Sequence, residues 1–257
     1  MSVPELPVYL LAHAKDALAR FVAVPSVAAE GRAIPEAAAL TRALLEAEDV
    51  ATELHETPGA PVVYGERLVP GAPTLLFYNH YDVQPADPLE LWESDPFTLT
   101  ERGGKLFGRG AADDKGEIIS RLTALRWFQE RHGELPFGVK FLVEGEEEIG
   151  SPNLGAYVET HRERLAADAC LWEFGGVDAA DRPMTYCGLK GILTLELSVR
   201  TVRFDLHSSN GAVVENPIYR LADALASLRD PSGHTLIDGF YDDVVPPTAL
   251  ELRALAA

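Results

Sequence analysis

Residues 138–151 read GVKFLVEGEEEIGS, and the architecture follows from this stretch. Its first half, 138–144, is a short apolar run, which predicts a buried strand. Its second half empties at once into Glu146, Glu147 and Glu148. Two more runs have the same character. Residues 72–79 (APTLLFYN) follow a Gly-Pro-rich turn and lead to His80, and residues 168–174 (DACLWEF) contain Glu173. Helical patterns surround them at 5–22, at 35–48 (PEAAALTRALLEAE), at about 116–131 (GEIISRLTALRWFQER) and at about 152–164. Strands alternating with helices predict an α/β fold, with a mostly parallel sheet flanked by helices.

The texture changes near Gly188. Residues 191–204 (GILTLELSVRTVRF) alternate apolar and polar, which predicts a half-exposed antiparallel strand. Residues 216–229 (NPIYRLADALASLR) predict an amphipathic helix with Pro217 in its first turn, and 248–257 predict a further helix. The expected division is therefore 1–187 and 188–257. The second part has too few elements to close a sheet by itself.

Forty acidic residues against 22 basic ones give a net charge of −18. Nucleic acid and anionic membranes would be repelled, so neither is expected as a partner. Cys170 and Cys187 cannot build a disulfide framework, and both read as small core residues. No stretch approaches the roughly 20 apolar residues of a membrane span. The first residues show no cleavage pattern, so a cytoplasmic protein is the expectation.

Four signals sit at strand ends or in adjacent loops, where open α/β sheets bind ligands. His80-Tyr81-Asp82 could offer an imidazole to a metal while a carboxylate fixes its tautomer, or could be a surface histidine beside a loop acid. Gly108-Arg109-Gly110-Ala111-Ala112-Asp113-Asp114-Lys115-Gly116 could bring two carboxylates to a cation, or could be a helix cap after a glycine-rich turn. Glu146-Glu147-Glu148 repel one another, which a divalent cation relieves and a solvated turn also would. Glu173 reads as a ligand or simply as a strand end. Together, one histidine and several carboxylates suit a hard or borderline divalent ion. Two such ions can activate a water, and a free glutamate alongside can move its proton. The pattern thus points to metal-assisted hydrolysis.

The ordered set His80-x-Asp82, Gly108-Arg109-Gly110-x-x-Asp113-x-Lys115-Gly116 and Glu147-Glu148-x-Gly150-Ser151 resembles the M20 metallopeptidase family. The wording HYDVQP, DDKGE and EGEEEIGS is most similar to its dipeptidase, carnosinase-like branch. The resemblance implies a zinc-peptidase-like catalytic domain with an inserted α+β lid that serves dimerisation. It also implies two divalent ions (zinc, with cobalt or manganese as alternatives). By the resemblance His80 binds one ion with Asp82 orienting it, and Asp113 bridges both. Glu147 is then the general base, Glu148 binds the second ion and Glu173 the first. Gly188-Leu189-Lys190-Gly191 resembles the entrance of the lid. Within the lid His207 would reach the partner subunit's site and stabilise the oxyanion, and Asn216 would contact substrate. The implied substrate is a small peptide or an N-acyl amino acid, and the implied assembly is a homodimer.

The family's second ion takes a histidine from a segment after the lid. Here the last histidine is His234, which reads as a surface residue. Both domains are therefore expected to be incomplete at the C-terminal side. The rival expectation is an incompetent fragment that binds only a metal or a partner.

Overall fold

The computed structural model describes residues 5–255 except 174, 179, 181, 185 and 187–190. Chain contacts divide it into two compact units, Met1–Gly188 and Leu189–Ala257.

The first unit opens with α1 (Val8–Val22), whose buried Leu10, Ala17, Leu18, Phe21 and Val22 line one helical face. Helix α2 (Ile34–Glu46) starts with Pro35 in its first turn, where a missing N–H costs nothing. The strands β1 (Ala51–His55), β2 (Val62–Arg67) and β3 (Thr74–His80) follow. A small hairpin, β4 (Thr100–Arg102) and β5 (Lys105–Phe107), precedes the long α3 (Lys115–His132). Then come β6 (Gly138–Glu144), the short helices α4 (Leu154–Thr160) and α5 (Arg162–Leu165), and β7 (Ala169–Leu171). The two-residue strands β8 (Gly176–Val177) and β9 (Pro183–Met184) pair with each other.

The main sheet has the order β1-β2-β6-β3-β7. Strands β6, β3 and β7 are parallel, whereas β1 and β2 add an antiparallel flank. The expected α/β class holds, with a mixed sheet in place of a mostly parallel one. The antiparallel flank was hidden because β2 (VVYGER) carries Gly65 in its middle and lies between Pro58-Gly59-Ala60-Pro61 and Pro70-Gly71, a composition that reads as loop. Gly65 has a packing reason: a Cβ there would come within 2.9 Å of Val50 Cγ1.

Side chains alternate across the sheet as the pleat requires. Val63, Phe77, Val139, Phe141 and Val143 pack with α1, α2 and α3, and Val62, Tyr64, Tyr78 and Leu142 pack with Tyr157 and Leu165 of α4 and α5. Each fully buried large apolar side chain contributes about 1.5–3 kcal/mol. Lys140, the polar residue inside β6, donates from Nζ to Arg164 O (2.5 Å) and Ala166 O (2.7 Å), so it serves the last turn of α5.

Helices α6 (Pro217–Ser227) and α7 (Ala249–Leu255) belong to the second unit. Residues 191–204 form no strand, contrary to expectation. Alternation alone does not make a strand, since a ladder needs a neighbour. No named strand lies in this unit among the described residues, and Ile192, Leu193 and Leu195 are exposed. Cys170 is also exposed, because β7 is an edge strand, which corrects its reading as a core residue. Cys187 and residues 188–190 lie outside the described residues. No described helix is long and apolar enough to cross a membrane.

Candidate metal centre

Parallel pairing brings the C-terminal ends of β3, β6 and β7 side by side. His80 faces Glu144 in register, Phe77 faces Leu171, and the Tyr81 N–H donates to Glu144 O (2.8 Å). The chain after β6 turns sharply at Gly145, where a Cβ would come within 2.3 Å of the Tyr81 ring. That turn throws Glu147 and Glu148 back toward His80. They form a 3-10 turn, half-buried and not the solvated acidic loop that the sequence left open.

His80 is fully buried. Its Nδ1 lies 3.0 Å from Asp82 O and 3.3 Å from Asp82 Oδ1. A proton on Nδ1 satisfies these oxygens and leaves Nε2 to face the carboxylates. Nε2 is 2.9 Å from Asp113 Oδ1 and 3.4 Å from Glu173 Oε2. Asp82, equally buried, accepts from the backbone N–H of Glu147 (3.3 Å) and of Glu148 (3.1 Å). Glu148 is held a second time, by Gln84, whose Nε2 donates to Glu148 Oε2 (2.7 Å).

Two groups have ligand atoms within 4.8 Å of one another: His80, Asp114 and Glu173, and His80, Asp113 and Glu148. The structure thus gathers His80, Asp113, Glu148 and Glu173, with Glu147 beside them on the wall of an open cleft of about 310 Å³. It also brings in Asp114, which the sequence left at a variable position. Asp114 stands at the N-cap of α3 but makes no cap bond. Its Oδ2 accepts from Asn79 Nδ2 (2.7 Å) and from the His80 N–H (2.9 Å) instead. Asn79 and Gln84 gave no signal of their own in the sequence, because each acts on the site only through a neighbour across the fold.

The electrostatics favour a cation. Burial pushes Glu173 up to about 8 and Asp114 up to about 7. Burial also raises Glu147, and the carboxylates of Glu148, Asp82 and Asp113 add to it against the opposing His80. For His80, burial disfavours the imidazolium, yet the hydrogen bonds with Asp113 and Asp82 outweigh it and push the pKa up to about 12. The same bond to His80 lowers Asp113. Glu173 Oε2 is buried and accepts no hydrogen bond. A buried carboxylate oxygen without a donor, turned toward an imidazole nitrogen, fits a divalent ion.

His207 and Asn216 lie in the second unit. His207 is exposed, and its Nδ1 accepts from the Ser209 N–H (3.2 Å), which puts the proton of the neutral ring on Nε2. Asn216 caps α6, its Oδ1 accepting from the Ile218 N–H (2.9 Å). His234 is exposed and stacks on Tyr241.

A buried histidine ringed by carboxylates at the carboxyl edge of an α/β sheet defines a candidate divalent-metal centre. The profile of Peptidase family M20/M25/M40 matches residues 76–238, and the chain belongs to this family. The beta-Ala-His dipeptidase of Homo sapiens is 37% identical over 195 residues, which cover 72% of this chain and 37% of that protein. The Cys-Gly metallodipeptidase of Schizosaccharomyces pombe is 35% identical over 202 residues, covering 76% of this chain and 42% of that protein. Among solved structures, an M20 family metallo-carboxypeptidase from Sulfolobus solfataricus superimposes with a TM-score of 0.85 at 40% identity, over 95% of this chain and 56% of that one. Human carnosine dipeptidase 1 gives 0.68 at 29% identity over the same shares. The chain therefore spans well under two thirds of the length of these relatives.

Proposed function

We propose that this chain carries the metal centre of a two-metal hydrolase that cleaves the amide bond of a dipeptide or a related N-acyl amino acid. The observation that carries this reading is the convergence of Asp113, Glu148 and Glu173 on His80, with Glu147 unengaged by His80 and raised by its surroundings. His80, Asp113, Glu148 and Glu173 would hold the ions, zinc in the first instance and cobalt or manganese as alternatives, with Asp113 serving both. When bound, the ions supply Lewis acidity that lowers the pKa of a water.

The chain's own groups do the rest. Asp82 keeps the proton on His80 Nδ1 and so presents Nε2. Glu147 removes a proton from the attacking water. The oxygen bonds to the amide carbonyl carbon, the C–N bond breaks, and Glu147 returns that proton to the leaving nitrogen. Its raised pKa suits both duties. The second unit acts as a lid and as the surface of a homodimer, where His207 donates from Nε2 to the developing oxyanion of the partner subunit's site and Asn216 contacts substrate. The two dipeptidase relatives support a dipeptide as the substrate class.

The test is turnover of a small dipeptide panel, beta-Ala-His and Cys-Gly included, by protein stripped with a chelator and reloaded with zinc or cobalt. Hydrolysis restored by metal supports the reading. Reloaded, folded protein that hydrolyses no member of the panel, nor an N-acetyl amino acid, overturns it in favour of a domain that only binds.

A further inference from the structure

Asn79 is fully buried one residue before His80, and its side chain is used in both directions. Its Nδ2 donates to Asp114 Oδ2, and its Oδ1 accepts from Arg121 Nη1. Arg121 projects from α3 and is itself half-buried. The same Nη1 donates to Tyr78 O (2.8 Å), and Nη2 donates to Trp172 O (2.7 Å).

These contacts form one connected circuit. Tyr78 O lies at the end of β3, two residues before His80. Trp172 O follows β7, one residue before Glu173. The circuit closes at Asp114, which accepts from both Asn79 and the His80 N–H. A single planar cation therefore ties together the two strand ends that deliver His80 and Glu173, and through Asn79 it also reaches Asp114. A guanidinium spreads its donors in one rigid plane, which lets it hold two carbonyls and an amide oxygen at once. The apolar buried face of α3 is Ile118, Ile119, Leu122 and Leu125, and Arg121 is not part of it.

We infer that Arg121, acting through Asn79 and Asp114, is a positioning residue that sets the separation of His80 and Glu173 for a shared divalent ion. It touches neither ion nor substrate. This rests on the metal-centre reading above, and the experiment separates the failure of one from the failure of the other.

The test titrates Co²⁺ alone into the protein and follows both the dissociation constant and the visible ligand-field absorption, with a thermal midpoint for every variant. Arg121→Met keeps the aliphatic stem and removes every donor, and Asn79→Ala cuts the link while leaving the guanidinium. Both are expected to weaken the ion at His80 by about 10- to 100-fold and to alter its absorption band. Arg121→Lys, which keeps a charge and some donors, recovers part of the loss. Leu122→Ala, a buried neighbour on the same helix outside the circuit, lowers the midpoint but leaves affinity and spectrum unchanged. Wild-type affinity and spectrum in whichever of Arg121→Met and Asn79→Ala folds overturns the inference. So does equal weakening in Leu122→Ala, which would make the effect one of general destabilisation. If the wild type shows no Co²⁺ binding that His80→Ala removes, the metal-centre reading itself has failed.

Discussion

The Asp82 carboxylate accepts the backbone N–H of Glu148 at 3.1 Å, while its other oxygen lies 3.3 Å from His80 Nδ1. One buried side chain therefore sets both the imidazole at the end of β3 and the acidic turn after β6. The bond helps explain why the acidic run forms an ordered turn: the backbone donors of Glu147 and Glu148 both meet this carboxylate.

Replacing Asp82 with Ala removes this double anchor. Hydrogen bonds to a charged group contribute about 1.5–3 kcal/mol, so stability should fall by about 2 kcal/mol. Loss of an orienting carboxylate should also weaken metal binding by about 10- to 100-fold. Urea unfolding and zinc titration check the two effects separately. Unchanged zinc affinity would show that Asp82 does not orient His80.

Glu147→Gln preserves shape and removes the base. The rate constant for dipeptide hydrolysis should fall by about 10²–10⁴-fold. Metal content should stay at the wild-type level, because Glu147 belongs to neither ligand group. A variant that keeps its rate would transfer the proton-moving role to another group.

Much of the first unit was legible in the sequence, for physical reasons. Strand β6 matches its apolar run, because a strand buried on both faces needs continuous hydrophobicity. Helix α3 and the loop before it were marked by glycine punctuation and helix-forming residues. His80, Asp82, Glu147 and Glu148 each had a harmless reading when taken alone, and stood out because their order and spacing together resemble the M20 family. Asp114 did not, since an acid next to Asp113 gains meaning only from Asn79 and the His80 N–H across the fold. Residues 191–204 show the opposite failure: alternation records a side-chain pattern and says nothing about whether a partner strand is present.

Gly145→Ala probes the turn that aims the acidic residues. The added methyl meets the Tyr81 ring at 2.3 Å, and overpacking of this kind costs about 1–3 kcal/mol. A lower denaturant midpoint together with weaker zinc binding is the expected result. A midpoint equal to that of the wild type would mean that Tyr81 moves aside freely.

Metal affinity should rise with pH. The hydrogen bonds to Asp113 and Asp82 push His80 up to about 12 despite burial, and burial pushes Glu173 up to about 8. Both folded-state values lie above the ordinary ones, so both protons stabilise the ion-free fold at low pH. That contribution is lost as pH rises through each folded value. An ion must displace these protons, and each one displaced changes affinity by about tenfold per pH unit. Zinc titrations between pH 6 and 8 should therefore show affinity climbing steadily. A flat profile would mean that the ion binds elsewhere.

The most direct test of the metal centre is the number of zinc ions that the chelator-stripped protein takes up per chain, read by elemental analysis after dialysis and repeated with His80→Ala. Zinc bound in the wild type through His80, and lost in the variant, is the predicted result. No retained zinc, or the same zinc content in both proteins, would contradict a metal centre built on His80.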